Sequence, residues 1–394
     1  MAISFGLLLF LLQSIFSFLS HGSRPLPQTQ AQTPLSTASN NRKNDTAISP
    51  ELYEELEELA RIVDIAYCVG TAGLGIQKPF KCASRCSEFE NFELVATWNT
   101  GPLLSDSCGY IALSHPPSAP RIILAFRGTY SIANTIVDLS TVPQAYVPYP
   151  APDETPPPAR PPKCTNCTVH TGFYISWLNT RKAILPDLTA AIAAYPNYTL
   201  TLVGHSLGGA VAALAGLDFI ARGWDPHVTT FGEPRIGNRH LNAYLNERFG
   251  IVTGNNSAPD GSKDEMMKKR KKNKFHRVTH VNDPVPLLPL EEWGYTMHSE
   301  ELFISSVSDL PPSREDVHHC DGGDEDPRCI AGNGNGEVDK GGWSGVPARF
   351  RFWQLFFAHR DYFWRLGLCV PSGGWKGWGS LVSTCPLITS FLLW

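Results

Sequence analysis

Gly204-His205-Ser206-Leu207-Gly208 sets a serine between two glycines. The run before it, 199–203 (TLTLV), is apolar and β-branched enough for a buried strand, and a Gly- and Ala-rich helical run follows it. A chain that turns this sharply from strand to helix has room only for glycine at the flanks. The pattern therefore predicts a nucleophilic serine held at the top of a sheet, its Oγ toward solvent near the positive end of a helix. The backbone N–H of Leu207 would donate to a forming oxyanion. Gly209, Ala210, Ala212, Ala213, Ala215 and Gly216 are small enough to let that helix lie close on the sheet. The bland alternative is a helix N-cap serine in a glycine-rich turn.

A serine hydroxyl is a weak nucleophile at neutral pH and needs a base oriented by an acid. With the serine first in chain order, the acid and then the histidine follow on later loops. Asp283 comes directly after the strand-like run 277–281 (RVTHV) and precedes Pro284, so it is the favoured acid. Glu233, one strand earlier in FGEPRIGN, is the competitor. Four histidines follow Asp283: His298, His318, His319 and His359. His318 and His319 stand in an acidic, Gly-rich stretch and read as surface residues, whereas His298 could be a packed strand residue. His359, in FFAHRDYFW near the end of the fold, is the favoured base.

These residues need a scaffold. Apolar strand-like runs at 92–98, 110–113, 121–126, 199–203, 227–231 and 277–281 alternate with helical patterns at 172–194 and after Ser206. That order predicts an α/β fold with a mostly parallel central sheet flanked by helices. The fold begins with Ser49-Pro50, an N-cap followed by a first-turn proline. Leu52, Leu56, Leu59, Val63 and Ala66 then recur on one helical face. Residues 143–162 hold nine prolines and predict an extended loop without helix or central strand. Residues 261–274 are polar and basic, and 309–346 form a long Gly-, Asp- and Pro-rich loop.

The ends have a different character. Residues 3–19 (ISFGLLLFLLQSIFSFL) are nearly all apolar and give way to small and polar residues, the pattern of a secretory signal over 1–22. Residues 23–48 are rich in Gln, Thr, Ser, Asn and Pro and predict a disordered or propeptide-like segment. One domain is expected over 49–370, with a tail of uncertain role at 371–394. Ten cysteines fit an oxidising compartment, and the close pairs 82/86, 164/167 and 320/329 suit local disulfides. Sequons at Asn44, Asn166, Asn197 and Asn255 add to that reading. The chain has 33 Lys plus Arg against 37 Asp plus Glu, a net charge of −4, so it lacks the basic footprint of a nucleic-acid binder. Its interior has no apolar stretch of 18 residues, which excludes a multi-span membrane protein.

Six ordered motifs, LAFRGT (124–129), VHTGF (169–173), VGHSLGGA (203–210), TFGEPRIGN (230–238), NDPVPLLP (282–289) and HRDYF (359–363), make the chain resemble the fungal class 3 lipases over roughly 60–369. These are secreted α/β-hydrolases that include triacylglycerol lipases and feruloyl esterases. The resemblance implies Ser206 as nucleophile, Asp283 as acid and His359 as base, with Thr129 and Leu207 forming the oxyanion hole. It implies a short helical lid at 131–139 (SIANTIVDL), whose Ser131, Ile132, Ile136, Val137 and Leu139 would cover the site. It also implies disulfides Cys82–Cys86, Cys164–Cys167 and Cys68–Cys369. Cys320–Cys329 and Cys108–Cys385 would then suit the remaining cysteines. The stretches 143–162, 261–274 and 309–346 look like insertions relative to that pattern.

The function expected is therefore a secreted serine carboxylic-ester hydrolase without metal or organic cofactor. Its expected substrates are acylglycerols, triacylglycerol first, met at a lipid–water interface through transient surface contact. A feruloyl or other aromatic esterase is the alternative within enzymes. A catalytically inactive hydrolase-fold binding protein is the alternative outside them.

Overall fold

The computed structural model describes residues 47–70, 75–101, 107–129, 142–149, 162–251, 273–307, 309–320, 323–324, 326, 328–333 and 357–369. The signal-like N-terminus, the lid segment 131–139, nearly all of the basic loop and the C-terminal tail lie outside them.

Helix α1 (Pro50–Ile65) starts where Ser49 caps it, its hydroxyl accepting from the Leu52 N–H at 3.2 Å. Leu56, Leu59 and Val63 bury the predicted face. Strands β1 (Phe92–Asn99), β2 (Cys108–Ser114) and β3 (Arg121–Phe126) follow. A short ladder joins β4 (Pro143–Ala145) to β5 (Thr168–His170), and helix α2 (Thr171–Ala194) leads out of it. The proline-rich stretch thus contributes one short edge strand, since a two-stranded ladder leaves free the positions where proline lacks a donor. Strand β6 (Thr199–His205) enters helix α3 (Leu207–Ala221) through Ser206. Strand β7 (Pro226–Phe231), helix α4 (Arg239–Phe249), and strands β8 (Phe275–His280), β9 (Glu301–Ile304) and β10 (Val317–Cys320) complete the sheet. A one-turn helix, α5 (Ile330–Asn333), and the two-residue strands β11 (Asp361–Tyr362) and β12 (Trp364–Arg365) close the described chain.

Among the described residues the sheet has eight strands, in the order β1-β2-β3-β6-β7-β8-β9-β10. β3, β6, β7, β8 and β9 run parallel, and antiparallel strands flank them. This is an α/β-hydrolase sheet, and the helices cover both faces. Ile122, Leu124 and Phe126 of β3 pack with α2 and α3 on one side. Ile123 and Ala125 pack with α1 on the other. Burial on both faces is why β3 is a continuous apolar run rather than an alternating one. Trimming Leu124, which is fully buried, to alanine would cost about 2–5 kcal/mol. No helix among the described residues is long and apolar enough to cross a membrane.

Two sequence expectations need correction. Paired structure reaches back at least to Ala47, ahead of the expected start at Ser49, because Ala47 bridges to His318 and the Ile48 N–H donates to the Val317 carbonyl. His318 and His319 are half-buried on β10, not surface loop residues. β9 and β10 escape a periodicity reading because each is four residues long, and β9 buries a glutamate. Glu301 accepts from Arg277, Thr279 and the Ile330 N–H, so its charge is satisfied inside the core.

Among the described residues there are four disulfides: Cys68–Cys369, Cys82–Cys86, Cys164–Cys167 and Cys320–Cys329. Cys108 is buried with its Sγ 3.1 Å from Asn99 Oδ1, and its suggested partner Cys385 lies outside the described residues. In the chain-entropy picture the bridge spanning 301 residues stabilises by roughly 6 kcal/mol and the four-residue one by about 2.

Candidate active site

Ser206 stands at the junction of β6 and α3 with φ 59° and ψ −130°. A non-glycine residue in that region costs on the order of 1–3 kcal/mol and persists where its surroundings enforce it. Here the Ser206 N–H is held by the Phe231 carbonyl at 2.9 Å, while Gly204 and Gly208 provide the room. A Cβ on Gly204 would collide with the Gly208 backbone, and one on Gly208 with the Phe126 carbonyl. Farther along α3, a Cβ on Gly216 would stand 2.8 Å from Phe249 Cζ, so the small face does seat the helix closely. Ser206 is only 2% exposed, which corrects the expectation of a solvent-facing hydroxyl. The Gly128 segment leans over it, so that a Cβ there would stand 2.8 Å from Ser206 Cβ.

Asp283 lies just beyond β8, and both its carboxylate oxygens take the Nδ1–H of His359, at 3.0 and 2.9 Å. Asp283 also accepts from the Val285 N–H at 2.9 Å and from the Tyr362 hydroxyl. Burial pushes this carboxyl up, but the His359 charge and these three donors outweigh it and hold it below the ordinary range. His359 is 1% exposed, and its Nε2 has no hydrogen-bond partner among the described residues. One nitrogen is thus fixed by the acid and the other is available to carry a proton. Gly232, at φ 60°, lets the chain after β7 pass both residues, since a Cβ there would meet His359 Cε1 and Asp283 Oδ2 at 3.0 and 3.1 Å.

The competitors are engaged elsewhere. Glu233 Oε1 pairs with His298 Nε2 at 3.1 Å, and its other oxygen accepts from the Thr230 hydroxyl at 2.6 Å. This buried acid–histidine pair is separate from Asp283 and His359. Thr129 directly follows the Gly128 segment against Ser206, and Leu207 is the first residue of α3, where N–H groups lack intrahelical acceptors. Among the described residues, one cluster brings three metal-type ligand atoms together, at Glu301, Cys320 and Cys329, and its two sulfurs form a disulfide.

Sequence reasoning missed the network beneath this site. Tyr67 Oη lies 2.5 Å from His205 Nδ1 and accepts from the Gly128 N–H at 3.2 Å, while His205 Nε2 is 2.8 Å from the His359 carbonyl. Burial, with the nearby His359 charge, drives the His205 pKa down to about 3, so the ring is neutral. Only one arrangement then satisfies every atom. Nε2–H donates to His359, Nδ1 accepts from Tyr67, and the Tyr67 oxygen receives Gly128. Residues 127–129 and the backbone of His359 are thereby tied to the same imidazole. A second clasp holds the histidine segment to α1. Asp64 accepts from the Gly367 N–H at 3.0 Å and from Ser84, Trp364 donates to Glu57 at 2.5 Å, and Arg85 stacks over the Trp364 ring. The Cys68–Cys369 bridge completes it.

The chain is similar to several known lipases. The family profile described as lipase (class 3) matches residues 123–293. Secreted mono- and diacylglycerol lipase 2 of Gibberella zeae is 48% identical over 389 residues, covering 88% of this chain and 90% of that protein. Lipase A of Sodiomyces alcalophilus is 49% identical over 372 residues, covering 84% and 85%. The crystal structure of Lip2 lipase from Yarrowia lipolytica superposes with a TM-score of 0.66 at 31% identity, covering 82% of this chain and 97% of that one.

Proposed function

The chain belongs to the class 3 lipase family and is a carboxylic-ester hydrolase, and we propose that Ser206, His359 and Asp283 are its catalytic triad. The bidentate Asp283–His359 pair, with Nε2 left for the serine, carries this reading. Ser206 Oγ attacks the ester carbonyl carbon as His359 Nε2 takes its proton. Asp283 keeps Nδ1 protonated and stabilises the imidazolium. The carbonyl oxygen becomes an oxyanion within reach of the Leu207 and Thr129 N–H groups. Collapse breaks the bond to the glyceryl oxygen, which leaves with the proton from His359. Water, deprotonated by the same imidazole, then releases the fatty acid from Ser206. Reaction with a p-nitrophenyl phosphonate should label Ser206 alone in a peptide map, and a label elsewhere would refute the assignment.

The substrates we propose are acylglycerols at a lipid–water interface. The relative from Gibberella zeae, a secreted mono- and diacylglycerol lipase, favours mono- and diacylglycerols, which would place triacylglycerol, the first expectation, behind them. Rates on matched emulsions of mono-, di- and trioleoylglycerol, with methyl ferulate as the aromatic ester, decide the order. Faster turnover of the triacylglycerol would reverse it. Export with removal of residues 1–22, supported by the apolar N-terminus and the secreted relative, belongs to the same proposal, as does gating by a helical lid over 131–139, supported by the spacing of Ile132, Ile136 and Leu139 on one helical face. N-terminal sequencing of protein recovered from medium tests the first.

A further inference from the structure

Asn197 lies at the opposite end of the sheet from the catalytic serine. Tyr195 closes α2, and the Tyr198 N–H returns to the Tyr195 carbonyl at 3.0 Å, making a tight turn with Pro196 and Asn197 at its corners. Thr199 opens β6 with its side chain exposed, and Asn197 is exposed as well. The sequence Tyr195-Pro196-Asn197-Tyr198-Thr199 therefore folds a sequon so that a tyrosine stands two residues before the acceptor amide and the sequon hydroxyl two residues after it. Tyr195 belongs to an aromatic platform. Its ring centroid is 4.9 Å from that of Tyr198 and 5.7 Å from that of His115, and His115 Nδ1 is 2.9 Å from Tyr198 Oη. Glu93, 3.4 Å from His115 Nε2, fixes the other side of the imidazole. Half-buried rings braced in this way present a fixed apolar surface beside an exposed amide.

We infer that Asn197 carries an N-linked glycan whose first N-acetylglucosamine packs its C–H face on Tyr195, clamping the α2–β6 turn. The inference rests on the export proposed above. The sugar comes from a lipid-linked oligosaccharyl pyrophosphate in the secretory pathway. The anomeric C1–O bond to the pyrophosphate breaks, C1 bonds to Asn197 Nδ2, and the displaced amide proton passes to the leaving pyrophosphate. Placement supports the assignment. β6 spans seven residues between this turn and Ser206, about 20 Å, so a glycan here stands clear of the substrate. Asn166 offers a contrast. It is exposed, but the residue two before it is Cys164, bridged to Cys167, and its carbonyl is held by Asn238. A sugar there has no ring two residues upstream to rest on.

The test is secretion of the full chain from a eukaryotic host, followed by enzymatic removal of N-glycans in 18O-water and peptide mapping. Thermal unfolding is measured before and after removal for the wild type, Tyr195→Phe, Tyr195→Ala and Asn166→Gln. The expected result is 18O-aspartate at position 197. Tm should fall on deglycosylation by about 2–4 °C in the wild type, Tyr195→Phe and Asn166→Gln, and by less than about 1 °C in Tyr195→Ala. If Tyr195→Ala fails to be secreted, Tyr195→Leu takes its place, keeping apolar bulk without the ring. Secreted protein with unmodified Asn197 overturns the inference, as does a wild-type Tm that is unmoved or that falls equally with and without the ring. Absence of any protein from the medium would instead be a failure of the export reading.

Discussion

Replacing Tyr67 by phenylalanine removes one oxygen and leaves the ring, so it isolates the bonds beneath the active site. Tyr67 is 1% exposed and its hydroxyl serves two groups, the Gly128 N–H and His205 Nδ1. Each becomes a buried polar atom without a partner, at about 1–3 kcal/mol apiece if nothing moves. The Gly128 N–H can regain a partner only by moving the Gly128-Thr129 segment, which would supply one of the oxyanion donors. A shift there lowers the ground-state cost and raises the barrier. If about 1.4–2.7 kcal/mol reaches the transition state, kcat falls about 10- to 100-fold. KM on a soluble p-nitrophenyl ester should stay within about twofold, because the bonds lost do not touch bound substrate. His205→Phe should behave similarly, since it keeps a ring but removes both the acceptor for Tyr67 and the donor to the His359 carbonyl. Initial rates over a range of ester concentrations, with Tm measured in parallel, make the check. A kcat within twofold of wild type beside a Tm lowered by many degrees would show that the network only holds the fold together.

Other outcomes follow from the same geometry. His359→Ala should lose about 1,000-fold or more in kcat, whereas His298→Ala should act mainly on Tm; the reverse in steady-state assays would overturn the choice of base. Gly128→Ala puts a Cβ 2.8 Å from Ser206 Cβ and should lower kcat on a soluble ester at least about 100-fold in protein that remains folded by circular dichroism. Asp64 is raised to about 6, chiefly by burial, against an ordinary 3.8. The native chain therefore holds a proton that the unfolded chain releases between those values, and stability falls as pH rises through that window, by about 3 kcal/mol in all. Asp64→Asn should flatten the change in Tm between pH 4 and pH 7.5, and an unchanged slope would dismiss the group as its source. Ile136→Asp should depress hydrolysis of emulsified triglyceride far more than that of p-nitrophenyl acetate, and equal losses would remove the proposed lid from the mechanism.

The parts of the site that were legible in sequence are those whose signal is local. Ser206 is framed by glycines at an apolar strand and helix, and Asp283 is marked by a strand ending at proline. His359 was the least local of the three, chosen by chain order and resemblance, and only the bond to Asp283 sets it apart from His298. Tyr67 was invisible because its meaning lies in a contact with a residue 138 positions away. Nothing in the surrounding sequence distinguishes it from an ordinary buried aromatic at the end of a helix. Strands β9 and β10 were hidden for a related reason. A buried glutamate and two half-buried histidines look like loop residues until Arg277 and the neighbouring strand are placed beside them.

The bridge between Cys68 and Cys369 turns almost the whole enzyme into a covalent ring. Ser206, Asp283 and His359 all lie inside it, while α1 precedes it in the chain. A protease that cut the basic run at 261–274 would linearise the ring without releasing a fragment, because both sides of the nick stay joined through sulfur. Such a molecule would migrate as one species until reduced, and then separate into two pieces, one with Ser206 and the other with Asp283 and His359.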